Sequence, residues 1–167
     1  VRRAELAAES LRRVIDRDDG RLAPVDLRAA AEYLGVTVLS WQPEENESKG
    51  ALIRSARAAF VNASLSLPRT RFTIAHELGH FVLGHNGDYY CPSCLYAARE
   101  REANRFAAAF LMPAPLVKSL WLKLDGLPPG AKARLVAERL AVSREALGYR
   151  LVTLGLGARA LAAGRGA

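Results

Sequence analysis

All three histidines of this 167-residue chain fall in one ten-residue stretch, within Thr73-Ile-Ala-His76-Glu77-Leu-Gly-His80-Phe-Val-Leu-Gly-His85. His76 and His80 bracket Glu77 in the pattern H-E-x-x-H. Positions four apart share one face of a helix, so two imidazoles spaced this way can take one zinc ion from the same side. Glu77, one position past His76, then lies beside the ion and not on it, placed to take a proton from water at the metal. Phe72, Ile74, Ala75, Leu78, Gly79, Phe81, Val82 and Leu83 surround the motif. A helix apolar on nearly all sides is buried, and buried imidazoles and carboxylates need partners. A metal supplies one; the competing reading is a polar cluster satisfied within the core.

A catalytic zinc takes three protein ligands and keeps one position for water. His85 follows Gly84, which has the place of a helix C-cap, and lacks the spacing of the longer three-histidine zinc motif. It is expected to be a surface histidine. The better ligand lies on the next helix, which ends at Pro113 and carries the apolar stripe Ala103, Phe106, Ala107, Phe110 and Leu111. At about 100° per residue, Glu100 falls on the margin of that stripe and Glu102 further round. Glu100 is therefore expected as third ligand, with Glu102 as the alternative; the bland reading of both is a solvated carboxylate near a helix start. Asn104, one turn after Glu100, is placed behind the metal to hold the ligand or one of the histidines. The run Ala107-Ala108-Ala109 lets this helix pack closely on the motif helix.

The rest of the chain reads as α+β. Helices are expected over 4–17, with Leu6, Leu11, Val14 and Ile15 inward, and over 25–34, closed by Gly35. Strands follow at 36–41, 50–54 and 58–62, with an acidic loop at 43–48. The motif helix spans 68–83, the ligand helix 96–111, and three shorter helices 115–123, 131–140 and 144–154. The expected architecture is a small three-stranded sheet packed on the H-E-x-x-H helix, followed by a small C-terminal helical bundle. The expected division is 1–124 for the domain that holds the metal, 125–155 for the C-terminal helices and 156–167 for a flexible Gly/Ala-rich tail. If strand 58–62 forms the sheet edge over the metal, a substrate can add to it as an extended strand. Tyr89, Tyr90 and Tyr149 are candidates for a second electrophile, although packing is the plainer role of each.

Leu135 to Leu151 resembles a helix-turn-helix, with Ala141-Val142 as the turn and Ser143 as N-cap of the second helix. Arg144 and Arg150 are the residues that could contact phosphate. An ordinary helical hairpin is the simpler reading. The second function reading is thus a DNA-binding regulator whose zinc site is regulatory or structural. The net charge of +7 is uneven: residues 101–167 carry 11 basic and 4 acidic side chains. Such a bias suits an acidic partner, nucleic acid or protein, or else is a solvated arginine-rich face. Cys91-Pro-Ser-Cys94 is either a turn or a redox pair whose thiolate could occupy the open metal position. No apolar run approaches a membrane span, and residues 1–20 lack a signal-peptide core, so a cytoplasmic location is expected.

The stretch Arg71 to His80, followed by Glu100-x-x-Ala-Asn-x-Phe-Ala-Ala-x-Phe-Leu-Met-Pro113, resembles the ImmA/IrrE family of metallopeptidases. The likeness extends upstream through Gly50-Ala-Leu-Ile and Phe60-Val-Asn62, and downstream through Leu135 to Leu151. It implies a gluzincin-like fold, one zinc per chain held by His76, His80 and Glu100, and Glu77 as general base. It further implies an endopeptidase that cleaves a helix-turn-helix repressor protein, relieving repression in a stress response. The length resembles the short form of the family, without a C-terminal sensory domain.

Overall fold

In the computed structural model, the residues described are 2–16, 24–42, 49–85 and 93–156. Ala58–Asn62 (β3) is buried at four of its five positions, so it takes the centre of the sheet. Thr37–Trp41 (β1) runs parallel to it on one side and Gly50–Ile53 (β2) antiparallel on the other. The strand that leads into the motif helix is therefore not an edge, as the sequence suggested. Apolar side chains on both faces draw β3 inward, and the edges fall to β1 and β2.

Leu67–Leu83 (α3) carries the motif across the sheet. Pro68 opens it, and Gly84, at φ 73°, closes it in the left-handed conformation that glycine adopts freely. Arg2–Ile15 (α1) precedes the sheet and buries Ala4, Ala8, Leu11 and Arg12, a stripe of helical period. Leu6, expected inward, is 51% exposed. The two small side chains let α1 lie close to Ser93–Leu111 (α4), and this approach sets which face turns in. Leu27–Leu34 (α2) is capped at its start by the Asp26 carboxylate, which accepts from the backbone N–H of Arg28 and Ala29.

The contact between α3 and α4 is closest at Gly79. A Cβ there would stand 2.9 Å from Phe106 Cδ1 and 3.2 Å from Phe106 Cβ. Phe106 is fully buried and stacks on Phe110 at 5.6 Å between centroids, so it has no room to yield. Ala114–Lys123 (α5), Pro129–Leu140 (α6) and Arg144–Thr153 (α7) follow. One cluster of buried side chains runs from Ala4 to Leu151, so α6 and α7 close the same core that α1 begins. The polypeptide turns from α6 to α7 through Ala141, at φ 52°, and Ser143 caps α7 by accepting from the Ala146 N–H.

Arginines from distant segments close the helix ends. Arg57 donates to the carbonyls of Leu34 and Gly35 at the end of α2. Arg54 donates to Phe81 O at 2.7 Å and Arg3 to Leu83 O at 2.8 Å at the end of α3. Arg12 donates to Phe110 O at 2.9 Å and Arg150 to Met112 O at 3.0 Å at the end of α4. Each cation donates to carbonyls of a last helical turn or just past it and meets the negative end of the helix dipole.

Gly79→Ala tests the closest contact. Alanine favours the helix by about 1 kcal/mol, but overpacking against Phe106 costs about 1–3 kcal/mol. The expected outcome is net destabilisation, read as a lower urea midpoint at unchanged slope; a higher midpoint would mean that the close approach of the helices does not depend on this glycine.

Candidate metal centre

Helical spacing puts Arg69, Phe72, His76 and His80 on one face of α3. The same spacing puts Glu100, Asn104 and Ala108 on one face of α4. The two faces meet, and His76, His80 and Glu100 form, among the described residues, the one group whose donor atoms could hold a metal ion. His80 Nε2 lies 3.1 Å and His76 Nε2 3.3 Å from the two oxygens of the Glu100 carboxylate. The two Nε2 atoms are 2.9 Å apart.

Hydrogen bonds behind the rings decide which nitrogens are bare. His76 Nδ1 faces Asn104 Oδ1 at 3.0 Å; a carbonyl oxygen only accepts, so Nδ1 carries the proton. His80 Nδ1 faces His85 Nδ1 at 3.1 Å, and His85 Nε2 faces the Glu102 carboxylate at 3.1 Å. The carboxylate accepts from His85 Nε2, which leaves His85 Nδ1 to accept from His80 Nδ1. Both Nε2 lone pairs are then free and point at one spot. Two lone pairs this close repel unless a cation stands between them. A four-coordinate metal with bonds of about 2.0–2.1 Å sets neighbouring donors about 3.3 Å apart, close to the spacing found. The donor set fits a metal.

Two expectations change here. His85 is not a surface residue: it is 7% exposed and orients His80 from behind. The Schellman turn at Gly84, with the His85 N–H on His80 O at 3.0 Å, folds it back under the helix. Glu102, the alternative ligand, instead holds His85. Two residues along α4 rotate it about 200° from Glu100, out of the face that meets the metal position.

Burial drives the His80 imidazole down to about 3, with the charges of His76, His85 and Arg99 adding to it. Burial likewise lowers His76, partly opposed by Glu100. Both rings are unprotonated at neutral pH, the form that binds metal. Glu77 is 7% exposed. Burial, and then the charge of Glu100, pushes its carboxyl up to about 7, near the pKa that suits a general base.

Gly50, which was not singled out for the site, begins β2 directly against this carboxyl. A Cβ at Gly50 would stand 3.0 Å from Glu77 Oε1 and 2.5 Å from Thr73 Cγ2. A glycine opening a strand signals such close backbone approach, but the approach itself is set by tertiary packing. Among the remaining residues, Arg144 is exposed at the start of α7. Arg150 is 6% exposed, bound to Met112 O and, at 3.2 Å, to Glu5; with its guanidinium enclosed, it is not a phosphate contact. Tyr149 is 72% exposed on α7. Tyr89, Tyr90 and Cys91 lie outside the described residues, and Cys94 stands in the first turn of α4.

His85→Ala and Glu102→Gln are expected to weaken metal affinity about 10–100-fold with all three ligands intact, measured by chelator competition. Affinity within twofold of wild type would remove the His80–His85–Glu102 chain from the site. In metal-free protein, Glu77 has a folded pKa near 7 against 4.5 for the free side chain. Its contribution to stability is present below pH 4.5 and lost as pH rises through 7. Glu77→Gln should therefore match wild type near pH 4 and exceed it by about 1–3 kcal/mol at pH 8; denaturation at both values checks this, and an equal gap at both would contradict it.

Known proteins resemble this chain in family and in fold. Residues 31–152 match the Peptidase_M78 family model, described as an IrrE N-terminal-like domain. The radiation response metalloprotease IrrE of Deinococcus radiodurans is 32% identical over 111 residues, which are 61% of this chain and 33% of that protein. The chain thus spans about a third of the length of this curated relative. A Mycobacterium tuberculosis transcriptional regulator shares the fold at a TM-score of 0.64 and 21% identity, over 90% of this chain and 46% of that one. The family model covers well over half of the sequence, and the chain belongs to the IrrE N-terminal-like domain family, Peptidase_M78.

Proposed function

We propose that this protein is a zinc-dependent endopeptidase acting on a helix-turn-helix repressor in the cytoplasm. The observation that carries the reading is the convergence of two bare imidazole nitrogens and the Glu100 carboxylate beside a buried Glu77 that is not part of the donor group. Two histidines and one glutamate are a donor set of catalytic zinc. A structural site fills all four positions and needs no neighbouring base. Membership of a metallopeptidase family supports the same class of reaction.

When bound, zinc polarises the scissile carbonyl and makes water easier to deprotonate. The residues supply the rest. His76 and His80 present Nε2, held in that tautomer by Asn104 and His85. Glu77 takes a proton from the attacking water and returns it to the leaving amine. The edge strand β2, whose Gly50 lies against Glu77, offers backbone groups on which an extended substrate can pair.

The alternative, DNA binding through α6 and α7, has less support. Arg150 is committed to Met112 and Glu5, which leaves Arg144 as the exposed member of the pair. Salt-dependent duplex binding would restore that reading.

Zinc content and cleavage of a helix-turn-helix repressor encoded beside the gene test the proposal together. Wild type should carry about one zinc per chain. Glu77→Gln should keep the zinc and lose about 10²–10⁴-fold in cleavage, and His80→Ala should lose both. A zinc-free wild type, or a Glu77→Gln protein that still cleaves, refutes the assignment.

A further inference from the structure

The face of α3 that carries His76 and His80 continues toward its N-terminus through Phe72 and Arg69. The face of α4 that carries Glu100 continues through Asn104 to Ala108. Residues of both faces and of α7 line one space. The result is a cleft of about 700 Å³ walled by α3, α4 and α7. Asn104 is shared: it lines the cleft and holds His76 from the other side. The cleft therefore borders the metal centre through Asn104, on the Nδ1 side of His76.

Its floor is apolar, built from Phe72, Ala108, Val142 and Ala146, with Tyr149 at the rim. Its charged members differ in what they already bind. Arg150 and Glu5 bind each other. Glu145 sits in the first turn of α7, where the helix dipole balances its charge. Arg69 and Arg105 are exposed, line the cleft from α3 and α4, and have no ion-pair or hydrogen-bond partner among the described residues. Arg3, Arg12, Arg54, Arg57 and Arg150 close helix ends; these two close none. An apolar floor between two unengaged guanidinium groups matches a segment with an apolar side chain next to a carboxylate.

We propose that this cleft is a substrate subsite of the peptidase, that it takes an apolar residue adjoining an acidic one, and that Arg69 and Arg105 determine this specificity. The inference rests on the peptidase reading above for the identity of its occupant as substrate. It accounts for part of the basic excess of residues 101–167 without nucleic acid, since Arg105 belongs to that segment.

The test uses the full chain as Glu77→Gln, loaded with zinc, and two fluorescein-labelled ten-residue peptides. They differ only in a central Leu-Glu-Glu or Leu-Gln-Gln. Fluorescence anisotropy should show the acidic peptide bound at least about tenfold more tightly, the ratio expected of charge-assisted hydrogen bonds. Arg69→Ala with Arg105→Ala should abolish that ratio at unchanged zinc content. Ala146→Trp, which fills the floor, should weaken both peptides about equally.

Equal binding of the two peptides, binding of neither, or a ratio that survives the double arginine change overturns the proposal. So does a DNA duplex that binds through the same two arginines while the peptides are not discriminated. The peptidase reading is judged separately, by repressor cleavage. Cleavage by wild type at unchanged kcat/KM in the double arginine variant would leave the enzyme and remove the subsite. Arginine-dependent discrimination by a chain that cleaves nothing would leave a carboxylate-selective peptide cleft and remove the enzyme.

Discussion

The metal position exists because α3 and α4 touch without a side chain between them at Gly79. Phe106 rests on the bare backbone there, and the distance between helix axes follows from that contact. His80 is the next residue on α3. Glu100 lies six positions before Phe106 on α4. With the helices at this separation, the Glu100 oxygens come within 3.1 and 3.3 Å of the two histidines. A rise of 1.5 Å per residue and a fixed rotation per residue then leave little freedom for anything else in the site. Rigid helices convert one close contact into a three-ligand geometry.

Placing that geometry in a buried setting has an energetic consequence. Glu100 belongs to the candidate metal position, Glu77 stands beside it, and Glu77 is 7% exposed. Without a cation, burial and mutual repulsion raise the Glu77 carboxyl to about 7, a cost to the folded state at neutral pH. A bound divalent ion offsets both terms, so metal affinity and folding stability are linked. The same burial that disfavours charge on Glu77 keeps His76 and His80 unprotonated. One physical cause thus sets the protonation of Glu77 and of both imidazoles.

Arginine serves two purposes in this fold. Arg3, Arg12, Arg54, Arg57 and Arg150 each reach across the chain to carbonyls at the ends of α2, α3 or α4. Arg71, on α3, donates to Val25 O at 2.9 Å. A planar guanidinium with five donors suits a helix end, where several acceptors cluster. These residues inflate the count of positive charge while offering little of it to a partner. Net charge therefore overstates how basic the accessible surface is.

Local pattern determined a good deal. The i,i+4 spacing of His76 and His80, the glutamate between them and the apolar surroundings are properties of one helix, readable without knowing what it packs on. Gly35, Gly84, Pro68 and Ser143 marked element ends because turn and cap geometry depends on a few adjacent residues. That Glu100 would face the two histidines was legible through its place on the margin of the α4 stripe. Other decisions needed contacts between segments distant in sequence. Which strand would be central depended on burial of both faces of β3, so the edge fell to β2 and not to the strand before the motif. The fates of His85 and Glu102 depended on how the turn after α3 folds back on α4, and no periodicity within either helix contains that. Gly50 could be seen as a glycine in a strand but not as the neighbour of Glu77. Arg150 had the helical placement of a surface cation, and only the approach of α1 and the end of α4 turned it into a buried tether. Periodicity and caps belong to the chain itself; pairing, burial and the engagement of charge are set when separate elements meet.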